Sequence, residues 1–347
     1  MTALAVRQDG PGTERVPGPP RRLLGLVVAL VVLVGLLVLS VMIGSTAIAP
    51  SVVWDALFHS SADIDQFAIR DFRLPRTIVG LVVGVALGLS GALIQALTRN
   101  PLADPGVLGV HAGASVAVTV AVGLLGVRDV QGYMWFAFAG ALVVTLLVLA
   151  FGSTRQGSSP VVMVLAGVCV GAVLGGAREA LQLSDPDAFD AMRNWNAGSI
   201  AGRPLEVVWP VLPFFAVALV LAFAVSGPLN ALALGDELAV AQGVRLVRTR
   251  VLAVIALTLL AGGATAIAGP IGFIGLMVPH VARWIVGPHQ RWIFAYSILL
   301  APSLLLGSDI LGRLVMSPGE IPVGIVTAFV GAPVLVALVR QKKSSGL

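Results

Sequence analysis

The chain has 347 residues, 57% of them hydrophobic and 11% charged, with a mean hydropathy of +0.98. Those proportions exclude a water-soluble globular domain and specify an all-α polytopic membrane protein. The formal net charge of +5 does not point to nucleic acid, because no basic stretch is interleaved with aromatics and lysine occurs only at Lys342 and Lys343, while the single Cys169 excludes an intrachain disulfide and a thiol-based metal site.

Residues 1–20, rich in Pro, Gly and Arg, read as a disordered cytoplasmic tail. The apolar stretch Leu23–Ile43 is too long for a signal-peptide core and forms the first span, within an uncharged segment 23–49. Thr77–Thr98 is uncharged, long enough to cross a bilayer core of roughly 30 Å, and bracketed by Arg73-Leu-Pro-Arg76 and Asn100-Pro-Leu-Ala-Asp-Pro105. Further uncharged segments lie at 105–127, 131–153, 157–177, 207–227, 251–282, 292–308 and 321–339. Segment 251–282 contains Gly262-Gly263, Gly269-Pro270 and Gly272, so it is one overlong helix or two helices hinged at Gly269-Pro270.

Loop charge selects the split. With ten spans and both termini in the cytoplasm, Arg21, Arg22, Arg99, Arg155, Arg245, Arg248, Arg250, Arg283, Arg291, Arg340, Lys342 and Lys343 all fall inside. Most acids, among them Asp55, Asp71, Asp129, Glu179, Glu206, Asp309 and Glu320, fall outside. The expected layout is a ten-helix domain over 21–340 followed by a short cytoplasmic tail, 341–347. Ser90–Val110 can be laid against the stretch around Gly262–Val281, each following an arginine patch on opposite sides, which predicts two pseudo-symmetric inverted halves.

Catalysis has no foothold. His59, His111, His280 and His289 lie far apart, and H-E-x-x-H, G-x-S-x-G and P-loop motifs are all absent from the sequence. No enzyme activity, metal site or nucleotide site is expected of the chain itself. A gradient-driven carrier, the alternative of another class, places ionisable groups in mid-membrane. Here Arg178 and Glu179 adjoin the outer end of the fifth span and Asp309 that of the ninth, where they read as interface residues. Energy must then come from another subunit.

Arg73–Arg76, Ser90–Ser115, Leu232–Val244 (LALGDELAVAQGV), Gly269–Arg283 (GPIGFIGLMVPHVAR), Ser308–Arg313 and Glu320–Val339 occur in an order that resembles the FecCD-like permease subunits of ABC importers for ferric siderophores, haem or cobalamin. The resemblance implies a ten-helix subunit of a dimeric type II importer in the cytoplasmic membrane, embedded in lipid. Its partners would be a second identical or paralogous permease, two cytoplasmic ATPase subunits that hold ATP and Mg, and an extracytoplasmic substrate-binding protein. A ferric siderophore is the expected cargo; cobalamin and haem are alternatives.

The same resemblance assigns Arg73, Arg76 and Arg313, with Arg70 as helper, to docking acidic residues of the binding protein, a task suited to arginine's bidentate fork. Asp309 and Glu320 are expected to pair near Arg313. The loop at about 229–248 would dock the ATPase, after Ser226-Gly227-Pro228 ends the sixth span. Its short helix, Asp236–Gln242, contains Glu237 and Ala239 between Gly235 and Gly243, with carboxylates at the favourable helix end. Asn100, Leu102, Ser158 and Ser159 would narrow the cytoplasmic mouth. Gly167, Gly171 and Gly175 of the fifth span and Gly324 and Gly331 of the tenth would allow close packing along the pathway.

Overall fold

The computed structural model describes residues 19–342 apart from 45–47, 49, 59–63, 155, 156, 159, 185–189, 191, 192 and 194. Most of both expected tails, residues 1–18 and 343–347, therefore lies outside the described residues, as does Ser159. The chain is helical almost throughout: α1 Pro19–Met42, α2 Pro50–Phe58, α3 Ile64–Phe67, a π-type turn Ala68–Arg73, α4 Leu74–Thr98, α5 Val110–Gly123, α6 Val130–Gly152, α7 Pro160–Ser184, α8 Leu212–Leu232, α9 Asp236–Ala241, α10 Leu246–Ala268, α11 Ile274–Val286, α12 Gln290–Val315 and α13 Val323–Lys342. One small departure from all-α is an antiparallel pairing of Ser153–Thr154 with Gly157–Ser158 between α6 and α7.

Seven of the described helices are long and apolar enough to cross a membrane, and α5, α11 and Val323–Val336 of α13 are shorter apolar helices. The overlong segment does break at Gly269-Pro270, where Gly269 has φ +75° and its amide returns to the carbonyl of Thr265. Three boundaries differ from expectation. Ser226-Gly227-Pro228 lies inside α8, because a helix shielded from water tolerates a proline that neighbours can accommodate. The fifth span runs on to Ser184 and the ninth to Val315, so Arg178, Glu179, Asp309 and Arg313 are helical residues and not loop residues.

Helix α4 is the axis of the core: 78% of its apolar window is buried, against 6% for α7. Lipid offers no hydrophobic drive between helices, so close contact depends on small residues. Gly80, Gly84, Gly88 and Gly91 supply it. A side chain at Gly80 would meet Leu306 at 2.7 Å, one at Gly84 would meet Pro302 at 2.8 Å, and one at Gly91 would collide with the Gly275 backbone. Gln95 completes the seam. Pro279 inside α11 has no N–H for the Gly275 carbonyl four residues earlier. Gln95 Nε2 donates to that carbonyl at 3.4 Å and to Leu276 O at 2.9 Å, which ties α4 to α11.

Candidate functional site

Two polar assemblies and one set of glycine-lined helix faces stand out from the apolar bundle. The first is at the N-terminal end of α4. Arg76 donates from Nη2 to Asp309 Oδ1 at 2.7 Å, from Nε to Oδ2 at 3.0 Å, and from Nη1 to Glu320 Oε2 at 2.6 Å. Arg313, one helical turn beyond Asp309, donates to its other face at 2.9 Å and also to the Ser40 carbonyl at 2.9 Å and the Ile43 carbonyl. Arg73 donates to the carbonyls of Met42 at 2.7 Å and Val41 at 3.2 Å. Arg73, Arg76, Arg313 and Asp309 are all buried. This satisfies the last carbonyls of α1, which have no intrahelical donor, with charged groups from the π-type turn before α4 and from α12.

The expectation for these arginines needs correction in its geometry. They are held within the fold, because a guanidinium leaving water needs compensating acceptors and the fold supplies them internally. Glu320 pairs with Arg76, not with Arg313. What remains accessible is a cavity of about 290 Å³ lined by Gly44, Phe72, Arg73, Arg76, Arg313 and Glu320. Arg70 is exposed beside it, donating to the Ala56 carbonyl at 2.6 Å.

The second assembly is at the opposite, C-terminal end of α4. Gly235 at φ +114° turns the chain out of α8 and Gly243 at φ +82° turns it back toward α10, conformations that a side chain would strain. Between them α9 leaves Leu238 and Val240 more than half exposed, as is Leu234 just before Gly235, while Ala239 is fully buried and Glu237 is exposed. Asp236 receives Arg250 Nη2 of α10 at 2.6 Å and also pairs with Arg99, the left-handed residue that ends α4. Burial alone would raise the Asp236 pKa, but the hydrogen bonds and charges of Arg250 and Arg99 prevail and hold it below the ordinary carboxylate range. Asn100 follows directly, its Oδ1 accepting from the amide of Leu102 at 2.9 Å, with both residues exposed. The structure thus joins α9 to the Asn100-Leu102 turn through one carboxylate. The acidic start of α9 was visible in the sequence; its partners, on helices distant along the chain, were not. Ser158 lies in the small β pairing with Ser153, a pairing that does not itself join it to Asn100 or Leu102.

The glycine-lined faces belong to α7 and α13. Gly167 is buried, Gly171 has only Ala112 at 4.0 Å, and Gly175 faces open space. On α13, Gly324 packs on the 197–198 backbone, with its amide on Gly198 O at 2.9 Å, and Gly331 rests on Phe273, where a Cβ would approach the ring to 2.8 Å. The two glycine sets therefore act differently. Those of α13 permit contacts within the chain, whereas Gly171 and Gly175 leave a surface uncovered by it. Among the described residues no group of His, Cys, Asp and Glu is arranged to hold a metal ion.

The model of the FecCD transport family matches residues 30–341. The ferric enterobactin transport system permease protein FepD of Escherichia coli (strain K12) is 48% identical over 309 residues, covering 89% of this chain and 92% of that protein. The Fe(3+)-citrate import system permease protein YfmD of Bacillus subtilis (strain 168) is 36% identical, covering 93% and 96%. A solved structure described as an inward-facing, metal-chelate type ABC transporter superposes with a TM-score of 0.74 at 27% identity, covering 93% of this chain and 99% of that one.

Proposed function

Because the chain belongs to the FecCD transport family, we propose that it is the permease subunit of an ATP-binding cassette importer that carries a ferric siderophore across the cytoplasmic membrane. The observation that carries the mechanism is the inner clamp. An exposed, apolar-faced short helix is fastened by Asp236 to the ends of α4 and α10, so a partner pressing on α9 displaces the helix that leads into the Asn100-Leu102 turn. Exposed apolar side chains on a loop outside the bilayer suit a protein partner. The partner in this reading is an ATPase subunit, one per permease, which supplies ATP and Mg.

In the same reading two permeases, each with ten spans in two inverted halves and both termini cytoplasmic, enclose the pathway. α7 supports this, being the long span least covered by its own chain. The outer cavity with its guanidinium groups would receive acidic residues of a binding protein, Arg70 being the most accessible and Arg76 the most committed elsewhere. A gradient-driven carrier is the weaker reading: both oxygens of the buried Asp309 already serve Arg76 and Arg313. The test is reconstitution. Proteoliposomes holding the permease with its ATPase should accumulate iron chelate only with ATP and binding protein, and uphill uptake by the permease alone would refute the proposal.

A further inference from the structure

We propose that the cavity between α5 and α7 is a subsite for an anionic iron(III) chelate, with Arg178 as the group that reads its charge. This rests on the importer reading and specifies the charge class of its cargo. The cavity, about 270 Å³, is lined by His111, Ser115, Gly171, Gly175, Arg178 and Pro270. It is smaller than the roughly 300–1,000 Å³ of a complete small-molecule pocket, so it accommodates one arm of a chelate.

Arg178 lies inside the apolar span Val162–Leu183, where an ionised side chain is costly unless it is paired. Its pairing within the described chain is incomplete. The nearest carboxylate, Glu179 Oε1, stands 3.9 Å from Nη2 on a side chain 72% exposed, and the buried Nε has no hydrogen-bond partner among the described residues. Arg313 also has a buried Nε with no hydrogen-bond partner among the described residues, but it and Arg76, also in apolar helices, are gripped by carboxylates at 2.9 and 2.7 Å. A guanidinium left with spare donors beside a hollow is completed by an anion that enters it.

The rest of the wall is compatible with entry. A side chain at Gly175 would meet nothing within 4 Å, so the space beside Arg178 is not taken up by packing. The His111 ring is held by Thr265 Oγ1 at 3.0 Å from Nδ1, a fixed polar edge on the opposite helix. Only 6% of the apolar window of α7 is buried by the chain itself. Iron held by catecholate or carboxylate oxygens carries net negative charge and offers adjacent oxygens to a planar fork; a tris-hydroxamate complex is neutral and gains less. A single charge-assisted contact also binds weakly enough to release.

The experiment uses the full complex of permease, ATPase and binding protein in proteoliposomes, with radio-iron supplied as the tris-catecholate, the citrate or the neutral tris-hydroxamate. Arg178→Gln should lower initial uptake of an accepted anionic chelate about tenfold at limiting concentration, the loss of roughly one charge-assisted hydrogen bond. Arg178→Lys should restore most of it and Arg178→Glu abolish it, with the assembled complex unchanged in size and melting temperature. Wild-type uptake matched by Arg178→Gln would overturn the subsite, as would dissociation of the two permeases by that substitution, which would mark a packing contact. Wild type that accepts the tris-hydroxamate and refuses both anionic chelates would overturn it while leaving the importer reading standing. Wild type that takes up none of them with ATP would overturn both.

Discussion

Arg76 holds both carboxylate oxygens of Asp309, a residue 233 positions away, and so fastens the N-terminal end of α4 to the last turns of α12. Removing one partner of a buried pair leaves an uncompensated charge, which costs about 3–5 kcal/mol. Arg76→Met and Asp309→Leu are each expected to lower the melting temperature of the detergent-solubilised protein sharply. The double variant should recover part of the loss. Additive losses would show that the two residues do not act as a pair.

Glu320, about one third exposed, competes for the same guanidinium from the cavity side. If carboxylates of a binding protein seek Arg76, Glu320 is their internal rival. Glu320→Gln should therefore tighten binding-protein affinity several-fold at low salt, less at high salt, while costing stability no more than about 1 kcal/mol, the range of exposed pairs. Surface plasmon resonance on nanodisc-embedded complex reads both. Weaker binding would mean that Glu320 itself contributes to docking.

Asp236→Asn removes the clamp between α9 and the ends of α4 and α10. Stability should fall by less than about 1 kcal/mol, since the pairs are substantially exposed. Iron accumulated per ATP hydrolysed should nevertheless drop, by about tenfold if one hydrogen bond's worth of coupling is lost. Because the folded pKa of Asp236 is depressed, its contribution is present above the unfolded value and lost as pH falls through the folded one. That ratio should then be insensitive to Asp236 titration above about pH 5, a safe margin over the ordinary aspartate value near 3.9. An acid limb near pH 6 that Asp236→Asn abolishes would contradict this.

Gly91→Ala places a methyl group against the Gly275 backbone, which cannot yield as a side-chain tip can. A cost of about 1–3 kcal/mol is expected from overpacking. Gln95→Leu, beside it, should cost a similar amount, about 1–3 kcal/mol, by leaving carbonyls of α11 unsatisfied. Thermal unfolding of single and double variants separates the two effects.

The sequence makes the helices legible because lipid imposes a strong, local rule: a charge-free stretch of sufficient length, with arginines on one side. The same rule identifies the break at Gly269-Pro270. Boundaries are less legible because charged residues do not end a helix whose neighbours satisfy them, as at Asp309 and Arg313. The arginines of the 73–76 motif are visible as special, but their partners are not. Asp309, Glu320 and the α1 carbonyls of Val41 and Met42 are brought to them only by tertiary packing, and arginine at a span end reads equally well as facing water. The Asp236 clamp has the same character, since nothing local in the sequence couples it to Arg99.

Pro279 deprives α11 of one internal bond, and Gln95 converts that vacancy into a rivet between two neighbouring helices. A rivet of this kind transmits displacement in both directions. Helices α4 and α11 should consequently travel as a single stiff lever during alternation, leaving the change of shape to the sparsely covered α7.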